Sequence, residues 1–212
     1  MNQRIMKKFI AFTGSASHNS INQKLLEYIL REFPNNGIEI LDLKSYELPI
    51  YSPEAEKKGI PIQTKEIFQI FNSADGFILA SPEHNGLPSA FLKNHIDWLS
   101  RVDQRFFHDK PILLLSTSPG ATGGKSHLDI LAKLVHRWGG ELIGQFSLSD
   151  FYQNFDTRTY TPNKSEHEQS LKHLVKSLLD FHEKPSTIYR TNREIEVFLN
   201  RIVNQYKSKG FL

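Results

Sequence analysis

The chain has 212 residues, of which 39% are hydrophobic and 23% charged, a composition typical of a globular domain. It contains no cysteine, which excludes disulfides, iron–sulfur clusters, a thiol nucleophile and the commonest structural zinc sites. The formal charge of +3 is mild, and its basic residues are interspersed with acidic ones, which argues against nucleic-acid binding.

Apolar strands and amphipathic helices alternate along the chain. A first strand at residues 7–12 is followed by a helix from Ser20, whose start is marked by the capping-box spacing to Gln23 and whose end is marked by Pro34. The same patterns predict further strands at 38–43, 76–80, 112–115 and 142–146, and further helices at 61–73, 90–99, 125–138 and 165–181.

Strands that are apolar throughout, separated by helices of about 10 to 15 residues, indicate a parallel sheet covered on both faces. We therefore predict an α/β fold of the flavodoxin-like, doubly wound type, with five parallel strands in the order 2-1-3-4-5 and with ligands at the carboxyl ends of the strands. We assign residues 1–183 to this domain. Residues 184–212 form an extension, with a linker at 184–187 and an amphipathic helix predicted at 193–206.

The first loop, residues 14–22, lies between the first strand and the first helix. The free N–H groups of the helix start meet three serine hydroxyls and an asparagine there, and the helix dipole favours a phosphate dianion. The alternative is that these side chains only cap their own helix, because capping uses the same residue types.

The second loop, residues 81–89, follows the third strand. Its Pro and Gly residues predict a rigid, exposed backbone whose N–H groups face a planar ring. His84 is placed to lie against such a ring and Asn85 to hydrogen-bond its rim. The alternative for His84 is an ordinary histidine that faces solvent.

The third loop, residues 116–124, is rich in Ser and Gly and precedes Lys125 and Ser126, as in a nucleotide P-loop. The spacing excludes a P-loop, because Pro119 stands where that pattern requires a glycine and Gly120 lies one residue too late. Its backbone donors still suit the edge of a flat heterocycle. Because the three loops follow strands 1, 3 and 4, we expect them to form one crevice.

Two segments carry the most specific part of a resemblance to a known family. The run P-E-H-N-G at 82–86, continued by L-K-N-H-I-D-W-L-S-R at 92–101, resembles the P-E-Y-N-G and L-K-N-x-I-D-W-L-S-R signature of the NADPH-dependent FMN reductase family, which includes quinone, azo-dye and chromate reductases. The first loop is similar to the family's G-S-x-R-x-x-S-x-N phosphate loop, and residues 116–120 are similar to its third flavin-contacting loop. The resemblance covers about residues 7–155.

The resemblance implies that the cofactors are FMN and either NADPH or NADH. Hydride would pass to flavin N5, and electrons would then pass to a quinone-like or other small acceptor, with no catalytic side chain because the flavin carries the chemistry. It also implies a homodimer or homotetramer. The implied cofactor-binding residues are Ser15, Ser17, Ser20 and Asn22 at the phosphate, and Pro82, Glu83, His84, Asn85, Gly86, Ser116, Ser118, Gly120 and Gly123 at the ring.

The chain departs from the family pattern at two cofactor positions. Ser17 stands in place of the usual arginine, so a charge-assisted phosphate contact is missing. His84 replaces the usual tyrosine, which keeps a planar side chain but changes its polarity. Within the signature helix we predict that Trp98 packs in the core and that Asp97 and Arg101 pair along the helix.

The sequence is also compatible with two other functions. A non-enzymatic FMN carrier would bind the same cofactor, although such carriers are typically strongly acidic and this chain is slightly basic. A regulatory or structural domain that has lost the flavin is the other alternative, and the departures at Ser17 and His84 raise it.

The sequence also predicts the location of the protein and the kinds of site that it lacks. No apolar run approaches the roughly 20 residues of a membrane span, and residues 1–8 lack the hydrophobic region of a signal peptide. The histidines show no paired metal-ligand spacing on a predicted helix. We therefore expect a cytoplasmic protein without a membrane partner or a metal site.

Overall fold

The centre of the molecule is a five-stranded parallel sheet. The computed structural model describes residues 7–181. The sheet strands are β1 (Phe9–Thr13), β2 (Ile38–Leu41), β3 (Gly76–Ala80), β6 (Lys110–Thr117) and β7 (Gly140–Leu148), in the order β2-β1-β3-β6-β7. Two hairpins lie outside it, β4 (Glu83–His84) with β5 (Leu87–Pro88), and β8 (Phe155–Asp156) with β9 (Thr161–Pro162). Counting only sheet strands, the order is 2-1-3-4-5, so the fold prediction is confirmed.

Helices cover both faces of the sheet. They are α1 (Ile21–Glu32), α2 (Pro53–Lys57), α3 (Ile62–Ser73), α4 (Ala90–Val102), α5 (Lys125–Val135), α6 (Phe151–Asn154) and α7 (Ser165–Leu179), with 3-10 turns at Leu43–Ser45 and His136–Trp138. One buried cluster packs α3, α4 and α5 on one face, and a second packs α1 and α7 on the other.

The inner strands β1 and β3 are buried along their whole length because each contributes to both clusters. In β1, Ile10 and Phe12 belong to the cluster of α3, α4 and α5, whereas Phe9 and Ala11 belong to the cluster of α1 and α7. Successive side chains of a strand point to opposite faces of the sheet. A strand that is buried on both faces therefore has no place for an exposed polar residue.

The prediction from the sequence left out several short elements and made others too short. It did not predict α2, α6 or the two hairpins, and it predicted only residues 142–146 of the last strand. The linker and helix predicted within residues 184–212 lie outside the described residues. Within residues 7–181, no helix combines the length and apolarity that a bilayer span requires.

Helix α4, which carries the signature residues, holds the loop that follows β2. Trp98 is fully buried, as predicted, and its Nε1 donates to the Pro49 carbonyl at 2.7 Å. Asn94 Nδ2 donates to the same carbonyl at 3.1 Å, and Asn94 Oδ1 accepts from the Tyr51 N–H at 2.8 Å. The side chains of the signature thus bind a distant piece of backbone.

The ion pair predicted along α4 is not the one that forms. Asp97 pairs with Lys93, one turn earlier, at 2.5 Å. The guanidinium of Arg101 instead lies over the ring of Tyr51, 5.5 Å from its centroid. Because Tyr51 is held by Asn94, Arg101 has an aromatic partner that its sequence spacing does not reveal.

We predict that Asn94→Ala lowers the free energy of unfolding by about 1 to 3 kcal/mol, because two hydrogen bonds to the loop are lost together. The neighbouring exposed change Lys93→Ala is the control and should cost less than about 1 kcal/mol, as is usual for a surface ion pair. Urea unfolding followed by circular dichroism measures both. Equal losses for the two variants would contradict the role assigned to Asn94.

Candidate functional site

The three polar loops lie side by side at one edge of the sheet. Because β1, β3 and β6 are parallel neighbours, their carboxyl ends meet there. The Gly14 N–H donates to the Ala80 carbonyl at 3.0 Å, and the Ser81 N–H donates to the Leu115 carbonyl at 2.8 Å. The ladder of the sheet therefore continues to the starts of the first and second loops.

The first loop is organised by its own serines. Ser15 Oγ accepts from the Ser17 N–H at 3.2 Å, and Ser17 Oγ accepts from the Asn19 N–H at 3.3 Å. Ser20 Oγ accepts from the Gln23 N–H at 3.2 Å and caps α1, which confirms the predicted helix start. Each hydroxyl acts as an acceptor in these bonds, so its hydrogen remains available to an anion at the N-terminus of α1.

Asn22 joins the first loop to the third. Its side chain is 2% exposed; its Nδ2 donates to the Thr117 carbonyl at 3.2 Å, and its Oδ1 accepts from the Thr117 N–H at 3.0 Å. This amide thus pairs with both backbone groups of Thr117, much as a neighbouring strand would. The family resemblance implies that Asn22 binds the phosphate; in the structure its amide links the first loop to the third.

Ser89, which the sequence did not single out, joins the first loop to the second. Its Oγ donates to the Gly14 carbonyl at 2.5 Å and accepts from the Leu92 N–H at 3.0 Å, so it also caps α4. A Cβ on Gly14 would lie 2.9 Å from Leu92 Cβ, so no larger residue fits. The signal for Ser89 was its position as a serine directly before a helix.

The second loop is a tight hairpin instead of an irregular loop. Asn85 and Gly86 both have positive φ, 53° and 78°, as the two central residues of a type I′ turn require. His84, Asn85 and Gly86 are exposed at its tip. Pro82 is buried at its base. The tip is therefore the part of the second loop that is available to a ligand.

The third loop is held close to the end of β7 and the start of α6. The Ser118 carbonyl accepts from the Phe151 N–H at 3.0 Å, and the Gly120 carbonyl accepts from the Asp150 N–H at 2.9 Å. Gly123 is buried, and a Cβ there would lie 2.7 Å from the backbone N of Ser149. Gly120 is exposed and Ser118 is half-buried, so these two residues line the open side of the loop.

A buried polar group that the sequence did not reveal lies between the second and third loops. His127 is fully buried, its Nδ1 is 2.6 Å from the Gly124 carbonyl, and Glu83 Oε2 lies 3.5 Å from the same nitrogen. Burial lowers the pKa of His127 below its ordinary value, against the opposing effects of the Gly124 carbonyl and of Glu83. Among the described residues, His127 Nε2 and the buried Ser116 Oγ have no hydrogen-bond partner.

The edge has the chemistry that a flavin mononucleotide requires. The first loop supplies hydroxyl donors beside a helix N-terminus, and the second and third loops offer exposed backbone. In residues 7–181, no group of three or more metal-binding side chains is brought together. Loops of this kind on a sheet of this order define the flavodoxin-like class of α/β proteins.

Comparison with known proteins narrows the class to a family. Residues 7–153 match the model of NADPH-dependent FMN reductases, and the chain belongs to that family. An uncharacterised protein of Mycoplasma pneumoniae is 28% identical over 149 residues, 68% of this chain and 88% of that protein. The quinone reductase of Escherichia coli is 29% identical over 117 residues, 54% of this chain and 62% of that enzyme.

A solved structure shows the same fold. FerB, a flavoenzyme NAD(P)H:(acceptor) oxidoreductase from Paracoccus denitrificans, superimposes with a TM-score of 0.68 at 20% identity, over 82% of this chain and 96% of that one. The match to the family model confirms the resemblance found in the sequence, together with the oxidoreductase class and with FMN and a nicotinamide coenzyme as the cofactors of the family.

We predict that Gly124→Ala destabilises the protein more than Gly86→Ala. Both glycines have a left-handed backbone, with φ of 80° and 78°, so each alanine adds about 1 to 2 kcal/mol of strain. A Cβ on Gly124 also collides with Ser116 Oγ, whereas nothing lies within 4 Å of one on Gly86. Overpacking should add about 1 to 3 kcal/mol at Gly124 alone. Thermal unfolding of the two variants measures the difference, and equal losses would contradict the close packing of the third loop.

Proposed function

We propose that this protein is an NAD(P)H-dependent, FMN-containing oxidoreductase that reduces a quinone-like or other small acceptor. The observation that carries this proposal is the edge where three loops, linked by hydrogen bonds from Asn22 and Ser89, place hydroxyl donors beside exposed backbone. When bound, FMN supplies the redox chemistry by accepting a hydride and passing electrons on. The names of the family and of the E. coli quinone reductase support the acceptor class.

The first loop would hold the phosphate of FMN. Ser15 and Ser20 are 6% exposed and their oxygens already accept backbone hydrogen bonds, so these hydroxyls are oriented before a ligand arrives. Ser17 is exposed and reaches solvent. The free N–H groups at the start of α1 and the helix dipole add to the attraction for an anion. Asn22 would contribute by positioning the loop.

The second and third loops would hold the ring. The exposed tip residues His84, Asn85 and Gly86 offer backbone groups and one planar side chain, and Ser118 and Gly120 line the facing loop. The remaining residues of the predicted set are more buried and would shape the crevice from behind; these are Pro82, Glu83, Ser116 and Gly123. A site of this kind orients the ring and excludes water without an acid–base pair of its own.

Two measurements on one preparation test the proposal. Titration with FMN, followed by quenching of flavin fluorescence, should show saturable binding, and the loaded protein should oxidise NADPH or NADH in the presence of a quinone. FMN binding without turnover would favour an electron carrier instead. A colourless protein that takes up no FMN would indicate a domain that has lost the cofactor.

We also propose a homodimer or homotetramer. A cavity of about 330 Å³ between α4 and the end of α5 is lined by the apolar side chains of Ile96, Leu134 and Trp138 together with polar and charged ones that include Arg101 and Arg137. Aromatic and arginine side chains of this kind suit contact with a second copy of the chain. Light scattering on the same preparation gives the molar mass, and the mass of a single chain would contradict the assembly.

Ser17 offers a direct test of the phosphate assignment. We predict that Ser17→Arg tightens FMN binding by about tenfold, because an arginine adds a charge-assisted hydrogen bond to the phosphate. Ser17→Gln is the matched control, since it lengthens the side chain without a charge, and it should leave the affinity nearly unchanged. The gain should shrink at high salt. Equal affinities for the two variants would place the phosphate elsewhere.

A further inference from the structure

The second loop is attached to α5 by the side chain of Glu83. Its Oε2 accepts from the backbone N–H of His127 at 3.3 Å, an N–H in the first turn of α5, which begins at Lys125. Gly124 occupies the capping position before this helix and has no side chain to accept a hydrogen bond. The carboxylate of Glu83, in the second loop, therefore caps the N-terminus of α5, where the helix dipole favours a negative charge.

The imidazole of His127 lies at the same junction, and its surroundings decide which nitrogen carries the proton. The two groups nearest Nδ1 are both acceptors, the Gly124 carbonyl at 2.6 Å and Glu83 Oε2 at 3.5 Å. Nδ1 must therefore be the donor. One buried N–H thus faces an acceptor from the third loop and another from the second.

The hairpin that carries the exposed tip is short, and its second strand packs against α5. Strands β4 and β5 are two residues each, and His84, Asn85 and Gly86 are exposed beyond them. A short hairpin with an exposed tip is stable only where its base is fixed. Glu83 is in that base, and its side chain is 21% exposed.

We propose that His127 and Glu83 form a latch that positions the hairpin tip against the third loop, so that the Nδ1–H donor of His127 sets the affinity for FMN. The proposal rests on the proposed function, since it concerns the loops assigned to the flavin ring. His127 is a positioning residue: it is fully buried, and its imidazole acts on the tip through the 3.5 Å contact between Nδ1 and Glu83 Oε2, beside the backbone hydrogen bond that any residue at position 127 would donate.

Two variants distinguish the latch from the alternative that His127 only packs the interior, because the two roles predict opposite orders of effect. His127→Leu fills the pocket with an apolar side chain and removes the donor. His127→Asn leaves a smaller side chain but keeps an N–H donor near the position of Nδ1. If His127 only fills space, leucine is the better replacement in a fully buried pocket. If it acts as the latch requires, asparagine is the better one.

The latch can be measured without the cofactor. In the apoprotein, we expect His127→Leu to speed hydrogen–deuterium exchange of the hairpin backbone by about tenfold, because Glu83 loses its contact with the imidazole and the tip opens more often, although the backbone N–H of residue 127 is still present. His127→Asn should remain near the parent rate. Glu83→Ala, a change at a partly exposed side chain, removes the backbone hydrogen bond as well as the imidazole contact, so its exchange should be at least as fast as that of His127→Leu. The double variant should be no faster than Glu83→Ala, because the imidazole acts on the tip only through Glu83.

Binding of FMN to the same variants completes the test. We expect His127→Leu and Glu83→Ala to weaken FMN binding by about tenfold and His127→Asn by less than about threefold. Parent-like exchange in His127→Leu, or weaker binding by His127→Asn than by His127→Leu, would overturn the latch. If His127→Leu fails to fold, Glu83→Ala provides the same comparison.

These results separate the latch from the proposed function. If the parent chain binds no FMN, the proposed function fails, but the exchange rates of the apoproteins still show whether His127 and Glu83 hold the hairpin. If the parent binds FMN and the variants do so equally well, the proposed function stands and the latch fails.

Discussion

Parallel pairing of β1, β3 and β6 is the constraint on which the site depends. In a parallel sheet every strand ends at the same edge, so the loops after these strands are neighbours although their residues are far apart in the chain. The ladder continues past the strand ends, where Gly14 and Ser81 donate to the adjacent strands. The loops therefore begin from positions set by the sheet, and little freedom is left for them to lose when a ligand binds.

Side chains then fix the loops to one another. Asn22 and Ser89 each connect two loops through backbone groups, and Glu83 connects a third pair through the start of α5. Ser89 and Glu83 act in places where the loops approach too closely for larger residues, as the contacts around Gly14 and Gly124 show. The crevice is therefore built from small residues that allow close approach and polar residues that make use of it.

The two residues that depart from the family pattern lie on the solvent-exposed side of the crevice. Ser17 and His84 are both exposed, whereas the linking residues Asn22 and Ser89 are buried. Replacing an exposed ligand-facing residue changes the charge or polarity offered to the cofactor and leaves the loop in place. Replacing a buried link would move the loop itself. Under the proposed function, changes at Ser17 and His84 would therefore alter how FMN is held and leave the crevice itself unchanged.

The sequence by itself determined the alternation of the sheet strands with the longer helices and the start of α1 at Ser20, because periodicity and capping act between residues that are close in the chain. Only the tertiary structure showed that Asn22 binds Thr117, 95 residues away, and that Glu83 caps a helix 44 residues away beside a buried histidine. Such pairs depend on which strands are neighbours and how closely the helices pack on them. Local sequence patterns do not show which distant residues come into contact, so the role of a residue such as His127 is visible only in the folded protein.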